Sequence, residues 1–280
     1  MNRLVSLCLK KDPGVDCLPF IYCSSSLTAR ILRCSVRDYL EQPAVQANSV
    51  ISIKQLFNPD GIVLGFNPSL VEECWGGSVE YPDELKLPVC TRPGTAEQFL
   101  RTKALEALVQ AVRWARKVSG ETAIIAAVPG ISYLSAGGDE GPLYEMVAKV
   151  GVAVAGANPD VVAVFERSPL PVGYEAGLEP LLNVLEHYGI IAMLVLSSGP
   201  AAGATGVKRF SSILVDYHYL PAVHHDPGKI WGAMLDVGTV PPELAPGARF
   251  VSTPWEVAGE SPVSRVREMR SRLEKIRIRQ

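Results

Sequence analysis

The chain has 280 residues, 48% of them apolar and 20% charged, with a formal net charge of −2. These proportions describe a globular protein with material for a large core. The near-neutral charge supplies no long-range field to gather nucleic acid or anionic lipid, so both are excluded as general partners.

No basic, apolar, cleavable leader opens the sequence and no apolar run reaches about 18 residues, so a cytoplasmic protein without a membrane span is expected. All six cysteines lie in the first third, at Cys8, Cys17, Cys23, Cys34, Cys74 and Cys90. None shares a C-x-x-C spacing, and in a chain of this size reduced, partly buried thiols are the expectation.

Taken in chain order, eight short apolar runs alternate with longer segments of helical period. The runs are PFIYC (19–23), GIVLGF (61–66), AIIAAV (123–128), VVAVFE (161–166), IAMLVLSS (191–198), SSILVDY (211–217), IWGAMLDVG (230–238) and FVST (250–253). Most are apolar throughout rather than alternating, which suits parallel strands covered on both faces. Helices are expected over 44–57, 95–120 closed by Gly120, 142–155, 173–188, and from 261 to the C-terminus. The connections after the fifth, sixth and seventh runs are rich in Gly and Pro, which predicts stunted or irregular helices there. Eight strands with intervening helices predict a single (β/α)8 TIM barrel. No internal repeat, low-complexity tract or linker marks a boundary, so one barrel domain over residues 1–280 is expected. The basic segment 264–280 reads as a solvated closing helix.

In such barrels chemistry occupies the C-terminal ends of the strands. The residues just past each run are therefore the candidates: Ser24 and Ser25, Asn67, Pro129 to Tyr133, Glu166 and Arg167, Ser197 and Ser198, Asp216 to His218, Asp236, and Thr253 to Trp255. Glu166 reads as an acid, a base or an anchor if desolvated, or as a salt-bridged rim residue if not. Asp216 and His218 close the sixth run, and the stretch VDYHYLPAVHHDPG holds three of the four histidines, His218, His224 and His225. These suit a polar loop as well as a site. No carboxylate or cysteine stands at ligand spacing to them, so a three-histidine metal site is not expected. The candidates for catalysis are Glu166, Asp216 and His218, and those for substrate binding are Asn67, Tyr133, Arg167, Ser198 and Trp255.

Several segments carry a resemblance to one family. FNPDGIVLGFNPSLVEECWGGSVEYPDELKLPV (57–89), VVAVFERSP, GIIAMLVLSSG, VDY, MLDVG and STPWEVAGESPVSRVREM stand in the order seen in the uroporphyrinogen decarboxylase superfamily, which includes cobalamin-linked methyltransferases. The resemblance spans nearly the whole chain and implies a (β/α)8 barrel. In the decarboxylase branch an arginine-rich segment follows the first strand, whereas YCSSSLTAR here offers only Arg30. The aspartate that ends the second strand in that branch aligns with Asn67, and its late histidine falls near Trp255. An asparagine lacks the negative charge that would stabilise a protonated pyrrole, which argues against uroporphyrinogen decarboxylation.

The segment SVRDYLEQP is more similar to the methyltransferase branch. That branch activates a thiol on zinc held by a His-x-Cys-Gly motif and a late cysteine. Here the motif aligns with Leu196, Ser197, Ser198 and Gly199, and no cysteine follows Cys90, so the family's zinc ligands are absent and no metal site is assigned. The resemblance implies an enzyme moving a methyl group between a small molecule and a partner corrinoid protein. The alternatives are a tetrapyrrole-binding or decarboxylating enzyme, and a catalytically degenerate subunit or scaffold of a methyltransferase system.

Overall fold

The computed structural model describes residues 2–8, 18–94, 99–134, 140–167, 170–197, 207–216, 230–236, 248–254 and 262–274. Its centre is a closed parallel barrel of eight strands. These are β1 (Phe20–Tyr22), β2 (Gly61–Leu64), β5 (Ala123–Pro129), β6 (Val161–Glu166), β7 (Ile191–Leu196), β8 (Ser212–Asp216), β9 (Ile230–Met234) and β10 (Ala248–Ser252). They neighbour one another in chain order, and β10 closes on β1. Each coincides with one expected apolar run. The missing numbers belong to an antiparallel hairpin, β3 (Ser78–Glu80) with β4 (Val89–Arg92), outside the barrel. The sequence reading did not anticipate it, because its exposed, mixed residues carry no continuous apolar signal.

The helices are α1 (Arg3–Cys8), α2 (Ser25–Leu32), α3 (Val36–Glu41), α4 (Pro43–Phe57), α5 (Leu70–Cys74), α6 (Lys103–Val118), α7 (Glu140–Ala155), α8 (Tyr174–Gly177), α9 (Glu179–Tyr188) and α10 (Pro262–Leu273). Helix α6 starts later than the apolar period suggests. The Thr102 side chain accepts from the Leu105 amide as N-cap, while the Leu100 amide donates to the Cys74 carbonyl and so lies outside the helix. Its buried face is Leu105, Leu108, Val112 and Ala115, at the three- and four-residue spacing of an amphipathic helix. In the connections after β7, β8 and β9 the described residues form no helix.

Barrel strands alternate their side chains between two cores. Ile21, Val63, Ile125, Ala163, Met193 and Phe250 fill the interior, whereas Ile62, Ile124, Val162, Leu194, Ile213 and Val251 meet the helices. Helix α1 stoppers the N-terminal end of the interior. Leu4, Leu7 and Cys8 are buried against it, and the Asn2 side chain caps the helix through the Leu4 amide at 2.8 Å. A Cβ on Gly61 would come 2.8 Å from Leu4 Cδ2, so β2 needs glycine to admit the stopper. Burial pushes the Cys8 thiol up to about 11. The five described cysteines, Cys8, Cys23, Cys34, Cys74 and Cys90, are free thiols.

The structure gives one tripeptide, found twice in the chain, a common task. Asn58-Pro59-Asp60 and Asn158-Pro159-Asp160 perform one operation at two places. Each asparagine ends its helix region in the left-handed conformation, with φ of 43° and 60°. Each aspartate then clamps the preceding barrel strand reciprocally. The Asp60 amide donates to the Phe20 carbonyl at 2.8 Å and Asp60 Oδ2 accepts from the Phe20 amide at 2.8 Å. The Asp160 amide donates to the Ile124 carbonyl at 3.0 Å and Asp160 Oδ2 accepts from the Ile124 amide at 2.8 Å. A cation attends each carboxylate: Arg270 at 3.7 Å from Asp60, and Arg116 against Asp160. The device sets where β2 and β6 begin, and so where their opposite ends reach the barrel mouth.

Candidate functional site

At the mouth end of β6 the side chain of Glu166 is only 1% exposed. Oε1 accepts from the Ile131 amide at 3.0 Å and the Tyr174 hydroxyl at 2.8 Å. Oε2 accepts from the Ser132 amide at 2.9 Å and from the Ser132 hydroxyl in a short hydrogen bond. Four donors occupy the acceptor positions an ionised carboxylate normally offers. Burial pushes the Glu166 pKa up, against the opposing pull of those donors. The carboxylate is an anchor for the 3-10 turn Ile131–Tyr133 that follows β5, rather than an exposed rim residue. A role as free acid or base is revised for the same reason: the oxygens face the turn. Gly130 permits this approach, because a Cβ there would collide with the Glu166 carboxylate.

The anchored turn sets Tyr133 into an aromatic stack. Its ring meets Phe66 edge-on at 5.9 Å, and Phe66 lies 4.6 Å from Phe165 of β6. The Arg167 guanidinium lies 4.2 Å from the Tyr133 ring centroid, a cation–π contact at the rim. The Arg167 amide donates to the Ser132 hydroxyl at 2.6 Å, tying both sides of the turn to β6. Burial raises the pKa of Tyr133, with Ser197 and Arg167 opposing it, yet neither group reaches hydrogen-bonding geometry with its hydroxyl.

Asn67, three residues past β2, is 1% exposed. Its Oδ1 accepts from the Ser69 amide at 2.9 Å, while its Nδ2 has no partner. Ser25 Oγ donates to the Phe66 carbonyl at 3.1 Å, and Thr253 Oγ1 bridges the Cys23 amide and carbonyl. These hydroxyls stitch β1, β2 and β10 together at the mouth and are committed to backbone. Asn67, Tyr133, Glu166 and Arg167 thus gather on the side of the mouth formed by β2, β5 and β6. Asp216 lies at the end of β8 and Asp236 two residues past β9, so both belong to the opposite side. His218, Ser198 and Trp255 lie outside the described residues, as do His224 and His225.

Of the two positions that align with the zinc ligands of the resembled motif, Leu196, at the histidine, is buried in the outer core and offers no donor atom, while Ser198, at the cysteine, lies outside the described residues. Ser197 Oγ, between them, donates to the Glu166 carbonyl at 2.8 Å. Among the described residues no group of three or more His, Cys, Asp or Glu could hold a metal ion. Arg30, the cation nearest the decarboxylase arginine segment, is exposed on α2. The sequence reading missed Tyr174, which donates to Glu166 from α8, and Phe66, the hinge of the aromatic stack. A Pro-rich stretch and an apolar run concealed them, and only the loop path joins them to the site.

The structure resembles a methyltransferase from Methanosarcina mazei with a TM-score of 0.67 and 14% identity, over 98% of this chain and 97% of that one. It also resembles DHDPS from Cyanidioschyzon merolae, a structure with lysine bound, with a TM-score of 0.51 and 11% identity, over 91% of this chain and 74% of that one. At these identities the likeness establishes the (β/α)8 fold. No family model and no curated protein matches the chain. Among the described residues no helix is long and apolar enough to cross a membrane.

Proposed function

We propose that the chain is a methyl-transfer enzyme that binds a small molecule in the barrel mouth and works with a corrinoid carried by a partner protein. The observation that carries this reading is the end-to-end likeness to a methyltransferase, with almost no unmatched length on either chain. A corrinoid would supply a cobalt able to take up and release a methyl group. This chain's own contribution is orientation. The substrate lies against the Phe66–Tyr133 wall, held in register by polar groups at its edge, and the stopper α1 leaves the mouth as the way in.

Glu166 acts through others in this scheme. It fixes the turn that carries Tyr133, so it is a positioning residue. Asp216, at the end of β8, is proposed as a substrate anchor, and His218, outside the described residues, as the proton carrier. No step passes through zinc, because Leu196 and Ser198 cannot replace imidazole and thiolate.

The test is methyl exchange between methylcobalamin and a panel of thiols, amines and aryl ethers, followed by the cobalamin absorption spectrum. One class of compound is expected to demethylate, or be methylated, in an enzyme-dependent manner. Absence of exchange with every class would overturn the proposal and favour a barrel that serves as a subunit of an active relative.

A further inference from the structure

Two buried polar groups in the mouth lack a partner among the described residues. Asn67 is 1% exposed and Tyr133 8% exposed, and neither Asn67 Nδ2 nor the Tyr133 hydroxyl makes a hydrogen bond with them. Unpaired buried polar atoms are rare because desolvation is not repaid, so a pair on one side of a site calls for a ligand. Both flank Phe66: Asn67 as its neighbour in the chain, and Tyr133 as its edge-on ring partner at 5.9 Å. The chemistry of the missing group follows from what each can offer. Asn67 Oδ1 already accepts from the Ser69 amide, so the unmet atom of the side chain is the Nδ2 donor. The Tyr133 hydroxyl can also donate. Its complement must therefore accept.

Charge narrows the class further. The guanidinium of Arg167 sits 4.2 Å from the Tyr133 ring, and the Glu166 carboxylate on this side is bonded to four donors of the turn and of α8. Asp216 and Asp236 belong to β8 and the end of β9, across the barrel. An anion is thus favoured on the β2–β6 side and disfavoured on the other. We propose that this subsite binds the carboxylate of a small substrate, one oxygen on Asn67 Nδ2 and the other on the Tyr133 hydroxyl, with the substrate's body along Phe66. The inference rests on the reading of the mouth as the substrate site, and it adds the substrate class: a small carboxylic acid.

Equilibrium titration of the full chain with benzoate, and with benzamide as the neutral near-isostere, separates charge from shape. Benzoate is expected to bind at least about tenfold more tightly, the scale of one hydrogen bond to a charged group. Tyr133→Phe keeps the ring and removes only the unpaired hydroxyl. It is expected to weaken benzoate about tenfold without lowering the melting temperature, whereas a structural hydroxyl would lower the melting temperature and leave affinity alone. Asn67→Asp should abolish benzoate binding by placing like charges together. Equal affinity for the two probes, no binding of either, or a Tyr133→Phe variant that binds benzoate as the wild type does would overturn the proposal. Binding is read without methyl transfer, so benzoate binding with no methyl exchange in any assay defeats the activity alone. Exchange confined to neutral compounds defeats the carboxylate alone.

Discussion

Glu166 illustrates how a residue chosen for its chemistry can serve by its geometry. A carboxylate at the mouth end of a barrel strand is a reasonable acid or base, but here two backbone amides and two hydroxyls use both oxygens. Its pKa lies above the usual glutamate range because burial outweighs those donors. The folded protein therefore holds this proton more tightly than the unfolded chain. Glu166's contribution to stability is full below the unfolded glutamate pKa and is lost as pH rises through the folded one. Glu166→Gln removes the titration, and its amide nitrogen cannot accept, so the variant is expected to be about 1–3 kcal/mol less stable than the wild type below the unfolded glutamate pKa, where the wild-type contribution is full. Chemical denaturation across the acidic range is the measurement. The wild type should lose stability, relative to the variant, as pH rises through that window; parallel curves would refute the assignment.

At the scale of elements, the two Asn-Pro-Asp segments show how a strand's start is set. Proline stops the helix pattern, the aspartate replaces a ladder bond with a side-chain bond, and the asparagine makes the turn by adopting positive φ. Asn158 is exposed and at φ 60°, so its value is conformational. Asn158→Ala is expected to cost about 1 kcal/mol, because alanine lacks the short polar side chain that lets asparagine tolerate the left-handed region. Asn158→Gly should stay within about 0.5 kcal/mol of the wild type. Urea melts of the two variants check this, and equal destabilisation by both would mean that the asparagine side chain bonds rather than bends. The repeat was visible in the letters at 57–63 and 157–163, but three matched residues mean little until both are seen doing the same thing to a neighbouring strand.

For the whole molecule, the barrel brings strand ends that are distant in sequence to one mouth, and that mouth has a polarity. Donors and a guanidinium stand over β2, β5 and β6, and carboxylates stand over β8 and β9. A tight zinc site would need imidazole or thiolate there, and the aligned residues are the alkyl group of Leu196 and the neutral hydroxyl of Ser198. Elemental analysis of the dialysed protein is therefore expected to give well below one equivalent of zinc. Near-stoichiometric zinc that disappears in His218→Ala would establish a rebuilt histidine site and restore thiol activation as a mechanism.

The amino-acid sequence by itself determined the eight strands and their order. A parallel strand buried on both faces is apolar along its whole length, and eight such runs separated by helical segments fit a closed parallel barrel. It also determined which residues stand at the mouth, because the barrel's polarity turns strand ends into site positions. What those residues do was a tertiary decision. Whether Glu166 is free depends on a turn 34 residues upstream folding back on it, and whether Asn67 and Tyr133 are paired depends on every group that failed to reach them. The stopper α1 and the β3–β4 hairpin were invisible for a related reason. A short helix or an exposed ribbon is stabilised by what it packs against, and that surface exists only once the barrel has closed.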